Sequence, residues 1–170
     1  MDRLAALFAE LRFTGVTTFI ASGNVVFKSP ATKEPTLRRK IEKHLQASLG
    51  YHVEVFLRRS TEVAAIGQAR PFAELRTSER GKLQVGFMHE PLSPAEAKKL
   101  TGLNSAVDAL KVIGREFYWS CREGTLESPI GNLLLTKSTK VPLNTIRTMN
   151  TVQRMVDKFG FSETRIPASR

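Results

Sequence analysis

Thr18-Phe19-Ile20-Ala21-Ser22-Gly23-Asn24-Val25-Val26-Phe27 places two β-branched and aromatic runs on either side of a Ser-Gly-Asn break. Runs of that composition read as strands, and a glycine between them marks a tight reversal or a bulge. The spacing predicts a hairpin of residues 16–21 and 24–28. Ahead of it, Leu4, Leu7, Phe8 and Leu11 recur at helical spacing and Gly15 sits where a helix would stop, which predicts a helix over 2–13. Behind it, Leu37, Ile41 and Leu45 face one way while Arg38, Arg39, Glu42 and Lys43 face the other, a second amphipathic helix that ends at Gly50. Val53-Glu54-Val55-Phe56-Leu57 alternates like a strand. Ser60 is placed to cap a third helix carrying Val63 and Ile66, which Pro71 should end.

Near residues 77–81 the chain turns polar and loses its periodicity, which sets a division into residues 1–76 and 77–160, with a tail at 161–170. A second cycle follows. Residues 83–87 read as a strand, and Ser93-Pro94-Ala95-Glu96 is a capping box with proline at the first helical position. Residues 108–113 and 116–120 form a second predicted hairpin around Gly114-Arg115. A helix over 126–136, a strand over 141–147 and a terminal helix complete the pattern. That last helix is expected to be capped by Asn150, to bury Val152, Met155, Val156 and Phe159, and to stop at Gly160. Strand, helix, strand, strand, helix, strand is the split βαβ or ferredoxin-like order. The first half repeats it without the leading strand. The expected fold is therefore α+β: two ferredoxin-like (βαββαβ) halves, the first lacking its leading strand, plus a C-terminal helix.

Composition narrows the function classes. Across 170 residues, 41% are hydrophobic and 25% charged, the balance of an ordinary globular protein. No apolar run reaches the roughly 18 residues that a membrane span needs. The N-terminus carries Asp2 within an amphipathic pattern, unlike a signal peptide, and the single cysteine, Cys121, permits no internal disulfide. A cytoplasmic protein is the expectation. The 26 Lys and Arg against 16 Asp and Glu give a net charge of +10. Such a balance favours polyanions through counterion release, so nucleic acid or a phosphorylated small molecule is the expected partner. The basic residues are dispersed, among them Arg58-Arg59, Lys98-Lys99 and Arg147, Arg154 and Lys158, which also suits a merely solvated surface.

Few residues assemble chemistry. His44, His52 and His89 stand apart from one another and from Cys121, without the short spacings of metal sites, so no metal and no cofactor is expected. Phosphate-loop, dinucleotide and nucleophile-elbow patterns are absent from the sequence. Cys121 has Arg115 and Arg122 nearby, which would lower a thiol pKa, but reads best as a strand-end residue. The candidate ligand-binding residues are Ser22 and Asn24 at the hairpin break, and Arg147, Asn150 and Thr151 at the start of the last helix. Small polar residues beside a glycine let backbone approach a ligand, and an arginine ahead of a helix N-terminus joins fixed charge to free amides. The competing reading is structural: Ser22 and Asn24 satisfy their own turn, and Asn150 caps its helix. Phe19, Phe27, Phe117, Tyr118 and Trp119 lie on expected strands and offer base-stacking candidates, although adjacent strand residues face opposite sides. An alternative is an enzyme with a cleft between the halves lined by Ser22, Asn24, Arg147 and Asn150. A third is a homodimer in which another chain covers an unpaired sheet edge.

Three ordered stretches carry a resemblance. The segment from Phe19 to Phe27, preceded by Leu11-Arg12-Phe13-Thr14-Gly15-Val16, is similar to the signature of a bacterial family catalogued as a domain of unknown function, number sixteen ninety-seven. Gly114-Arg115-Glu116-Phe117-Tyr118 resembles its Gly-Arg-x-x-Tyr strand, and Thr145-Ile146-Arg147-Thr148-Met149-Asn150-Thr151-Val152 resembles its closing Thr-x-Arg-x-x-Asn-Thr-Val motif. The resemblance implies two ferredoxin-like halves and no particular activity. It also implies a strand and a glycine-containing loop ahead of the first helix, where this chain opens directly on the helix. Thr148 and Met149 stand where many members carry Asn and Trp, so no role of an indole transfers to this position.

Overall fold

The computed structural model describes residues 2–21, 23–30, 33–75, 81–125, 127–128, 130–135 and 141–162. The protein is α+β and divides into two compact units, Met1–Leu57 and Arg58–Arg170. The division expected from the sequence falls at 76/77, and residues 76–80 lie outside the described ones. Helix α3 (Ser60–Gln68) belongs to the second unit, where Gly67 lets it approach Val156 so closely that a Cβ would meet that side chain at 3.0 Å. Among the described residues no helix is long and apolar enough to cross a membrane.

The first unit begins with α1 (Asp2–Glu10), shorter than the expected 2–13 because Arg12 takes a left-handed φ of 61° and turns the chain. β1 (Thr14–Phe19) and β2 (Asn24–Lys28) then pair antiparallel as the predicted hairpin, with a register shift between Thr14 and Thr17 at Gly15. α2 (Glu34–Leu49) follows, and Gly50 closes it with φ 81°, donating its N–H to Gln46 O. The apolar stripes of α1 and α2 bury Leu7, Phe8, Leu11, Ile41 and Leu45 together with Phe13, whose ring stacks on Phe27 at 4.5 Å. Val53, Val55 and Leu57 pack against this cluster. They do so without forming the expected strand. Alternation selects a buried face, but a strand also needs a neighbour to complete its ladder. Among the described residues the sheet of this unit has two strands, β1 and β2, and the Val55 N–H donates instead to Glu42 Oε1 at 3.1 Å.

The second unit holds α3, β3 (Lys82–Phe87), α4 (Pro94–Thr101), β4 (Asp108–Ile113), β5 (Glu116–Cys121), α5 (Gly131–Leu135), β6 (Thr145–Thr148) and α6 (Met149–Phe159). Its sheet has the order β4-β5-β3-β6 with every neighbouring pair antiparallel. β4 and β5 form the second predicted hairpin, reversed at Gly114 with φ 62°. All six residues of β5 are buried. Alternate side chains divide between two cores, as the strand period of two requires. Phe117, Trp119 and Cys121 join Met88, Leu100, Leu110, Ile130 and Leu134; Tyr118 joins Ile66, Phe72, Val85, Met149 and Val152. Gly86 pairs with Phe117, and a Cβ there would sit 2.0 Å from the ring, so glycine is what admits the aromatic.

Helix ends follow hydrogen bonding rather than residue type. The box at α4 is as expected: Ser93 N donates to Glu96 Oε2 at 2.9 Å and Glu96 N to Ser93 Oγ at 3.3 Å. Ser60, the expected cap of α3, is instead its first helical residue, and the N–H of Arg59 donates to Glu62 Oε2. At α6 the cap is Thr148, not Asn150. α5 spans five residues of the expected 126–136 helix, of which 126, 129 and 136 lie outside the described residues. β6 is shorter than the expected 141–147 strand and ends one residue later.

Candidate functional site

At the hairpin break, Gly23 has φ 74° and Asn24 donates from Nδ2 to the Phe19 carbonyl at 3.2 Å. The amide thus braces its own turn, as short polar side chains do. Ser22 lies outside the described residues. Ile20 holds φ 50°, an uncommon state for a β-branched residue.

The other candidates cluster where β6 runs into α6. Thr148 Oγ1 accepts the N–H of Thr151 at 3.1 Å and contacts its hydroxyl at 2.9 Å, while Asn150 faces solvent. Arg147 is half-buried and donates from Nη1 to Thr145 Oγ1 at 3.0 Å and to the Ile146 carbonyl at 2.7 Å. Burial lowers its pKa, but from so high a starting value that the guanidinium stays a cation. Arg147, Asn150 and Thr151 therefore share one strand-to-helix junction in the second unit, whereas Asn24 belongs to the first unit.

Of the stacking candidates, Phe19, Phe117, Tyr118 and Trp119 are buried and Phe27 is half-buried. Phe19 is buried, Phe117, Tyr118 and Trp119 lie within the two cores described above, and Phe27 packs in the first unit. With β5 covered on both faces, Phe117, Tyr118 and Trp119 cannot receive bases. Burial, together with the nearby Glu116 carboxylate, pushes the Tyr118 hydroxyl up to about 12.

Residues 1–118 match the model of a family described as a protein of unknown function, DUF1697. The chain belongs to that family. The first two motifs that suggested kinship fall within the matched stretch, the second of them up to Tyr118, while the third, at 145–152, lies beyond it. No curated protein and no solved structure matches the chain.

The second unit of this DUF1697 protein also contains charged and polar clusters that sequence reading missed. The Arg58 side chain is 4% exposed and pairs with Glu116, Nε to Oε1 at 2.5 Å. Its Nη2 donates to the carbonyls of Met88 at 2.7 Å and Arg115 at 3.1 Å, and its guanidinium lies 5.4 Å from the Phe87 ring centre. Arg115 in turn bonds Glu62 at 2.7 Å. Burial works against the Glu62 charge, yet the Arg59 N–H and Arg115 hold its pKa below the usual carboxylate value. These partners are 53 and 58 residues apart, so no local spacing announces them. The network ties the entry to α3 to the β4–β5 turn, a structural use of charge.

A second hub surrounds the Asp108 carboxylate, 2% exposed. It accepts from Trp119 Nε1 at 2.7 Å, from Ser128 Oγ at 2.8 and 2.9 Å, and from Ser105 Oγ at 3.1 Å. Donors on this scale make a buried carboxylate tolerable. Cys121, at the end of β5, donates its thiol to the Gly124 carbonyl at 2.8 Å. Burial pushes that thiol up rather than down, which removes the option of arginine activation.

Proposed function

We propose that this DUF1697 protein is a binding module for an anionic ligand, either nucleic acid or a phosphorylated small molecule, working in the cytosol. The observation that carries the reading is the excess of 26 basic over 16 acidic residues, a net charge of +10. A surface of that sign displaces counterions from phosphates, so binding weakens as salt rises. The half-buried Arg147 beside the α6 N-terminus supports the same chemistry. The β3-α4-β4-β5-α5-β6 order and the β4-β5-β3-β6 sheet support reading the second unit as a ferredoxin-like half, with the first unit as the same cycle short of one strand.

Thermal melting with an oligonucleotide, a nucleoside triphosphate and inorganic polyphosphate tests the proposal. A rise in Tm with at least one of them is expected, larger at about 50 mM than at about 200 mM salt. Identical Tm values with every anion at both salts would overturn it. The enzyme alternative requires Ser22, Asn24, Arg147 and Asn150 to act together; the Asn24 amide is already committed to the Phe19 carbonyl, and no observation favours that reading.

A further inference from the structure

The charge of a helix surface depends on which residues its packing leaves outside. α2 buries Ile41 and Leu45, with Leu37 and Leu49 packed beside them. The opposite face presents Thr36, Arg39, Lys43, Gln46 and Ala47, all exposed and at helical spacing. It contains two cations and no acid. Glu42, which could neutralise them, turns its carboxylate to the Val55 N–H. Lys40, at the margin of this face, is held by the Leu11 carbonyl at 3.2 Å and lies over the Phe13 ring. Arg39 and Lys43 are left one turn apart, with no hydrogen bond or ion pair to any described residue. Like charges at that spacing repel and weaken the helix, a cost that a bound anion would relieve.

The other described helices differ. α4 exposes Glu96 three residues before Lys99; α6 exposes Asp157 between Arg154 and Lys158; α1 exposes Asp2 and Glu10 with Arg3. α3 and α5 contain no Lys or Arg. An acid-free cationic face is thus particular to α2 among the described helices.

Resting on the anion-binding reading above, we propose that the exposed face of α2 is a docking surface for a nucleic-acid backbone, with Arg39 and Lys43 as its phosphate contacts. A convex helix face cannot converge donors around a small phosphorylated molecule, which needs a concave site. It can track a polymer whose phosphates repeat. The face also lacks the large apolar residues with which an amphipathic helix enters a lipid surface.

The test is fluorescence anisotropy with a labelled single-stranded oligonucleotide about 16 nucleotides long, titrated across salt. Arg39→Glu with Lys43→Glu is expected to weaken binding at least tenfold and to flatten the salt dependence by about 0.7 for each lost contact. Arg39→Gln with Lys43→Gln, which removes charge without adding acid, should give a smaller loss with an unchanged circular dichroism spectrum. Arg39→Lys with Lys43→Arg should retain binding. Lys98→Glu with Lys99→Glu on α4 makes the same change in net charge and should stay within about twofold of the parent. Equal weakening by the α4 pair would overturn the assignment to α2 while leaving the anion-binding reading intact. If the parent protein binds polyphosphate but not the oligonucleotide, or sediments with phosphatidylserine vesicles but does not bind the oligonucleotide, the nucleic-acid assignment falls. Absence of salt-dependent binding to any of these anions removes both readings.

Discussion

The β1–β2 and β4–β5 hairpins arise from the same kind of sequence, two β-rich runs about a glycine, and end in different surroundings. β4–β5 is extended by β3 and β6 into a four-stranded sheet, and every residue of β5 is buried. β1–β2 remains a two-stranded sheet whose second strand is half-buried at Asn24, Val25, Val26 and Phe27. The two reversals differ too: Gly114 supplies the left-handed residue of one, whereas the other places Ile20 as well as Gly23 in that region. The local pattern fixes a hairpin in each case. What surrounds the hairpin depends on which further strands are present, as residues 53–57, which pack on the core outside any strand, illustrate.

The sharpest way to break the comparison is to remove the sheet at its centre. Gly86→Ala should cost the second unit about 3 kcal/mol, at the upper end for overpacking, since the new Cβ would meet the Phe117 ring. Trp119 is the one tryptophan and lies in that unit, so its fluorescence during urea unfolding reads the loss directly. An unchanged midpoint would mean that β3 and β5 can separate without cost.

A smaller effect is expected in the first unit. Glu42→Ala leaves the Val55 N–H without its acceptor and should cost about 1 kcal/mol, with amide exchange of Val55 accelerated. If Val55 exchange stays as slow as in the parent, another group holds residues 53–57.

The smallest effect concerns acid. Glu62 has a lowered pKa in the folded protein, so its contribution is present above the unfolded value near 4.5 and disappears as pH falls through the lower folded value. The stability difference between the parent and Glu62→Gln should therefore shrink below about pH 4.5 and be constant near neutrality, as followed by denaturation across pH. A difference that persists in acid would assign the effect to packing.

Much of the fold was legible because its determinants are local. The leucine spacing of α1, the stripe of α2 closed by Gly50, the Ser93–Glu96 box and both hairpins depend on residues within a few positions of one another. The misses required distant partners. Residues 53–57 alternate but form no strand among the described residues, and the choice of Thr148 over Asn150 as cap was decided by where β6 ends, since both residue types cap well. At the candidate site, Arg147, Asn150 and Thr151 lie at one strand-to-helix junction because they are neighbours in the chain. It could not foresee that Glu42 turns away from Arg39 and Lys43, nor that Asp108 gathers Trp119 and Ser128, because those bonds depend on tertiary packing.

The placement of Cys121 provides a reporter that distinguishes the two units. It is the chain's one cysteine, fully enclosed at the end of β5 and bonded to the Gly124 carbonyl. A thiol reagent can reach it only when the β4–β5 edge opens, so the rate of modification measures opening of the second unit and is silent to events confined to the first. Labelling kinetics in increasing denaturant would then time the opening of the second unit without introducing a probe.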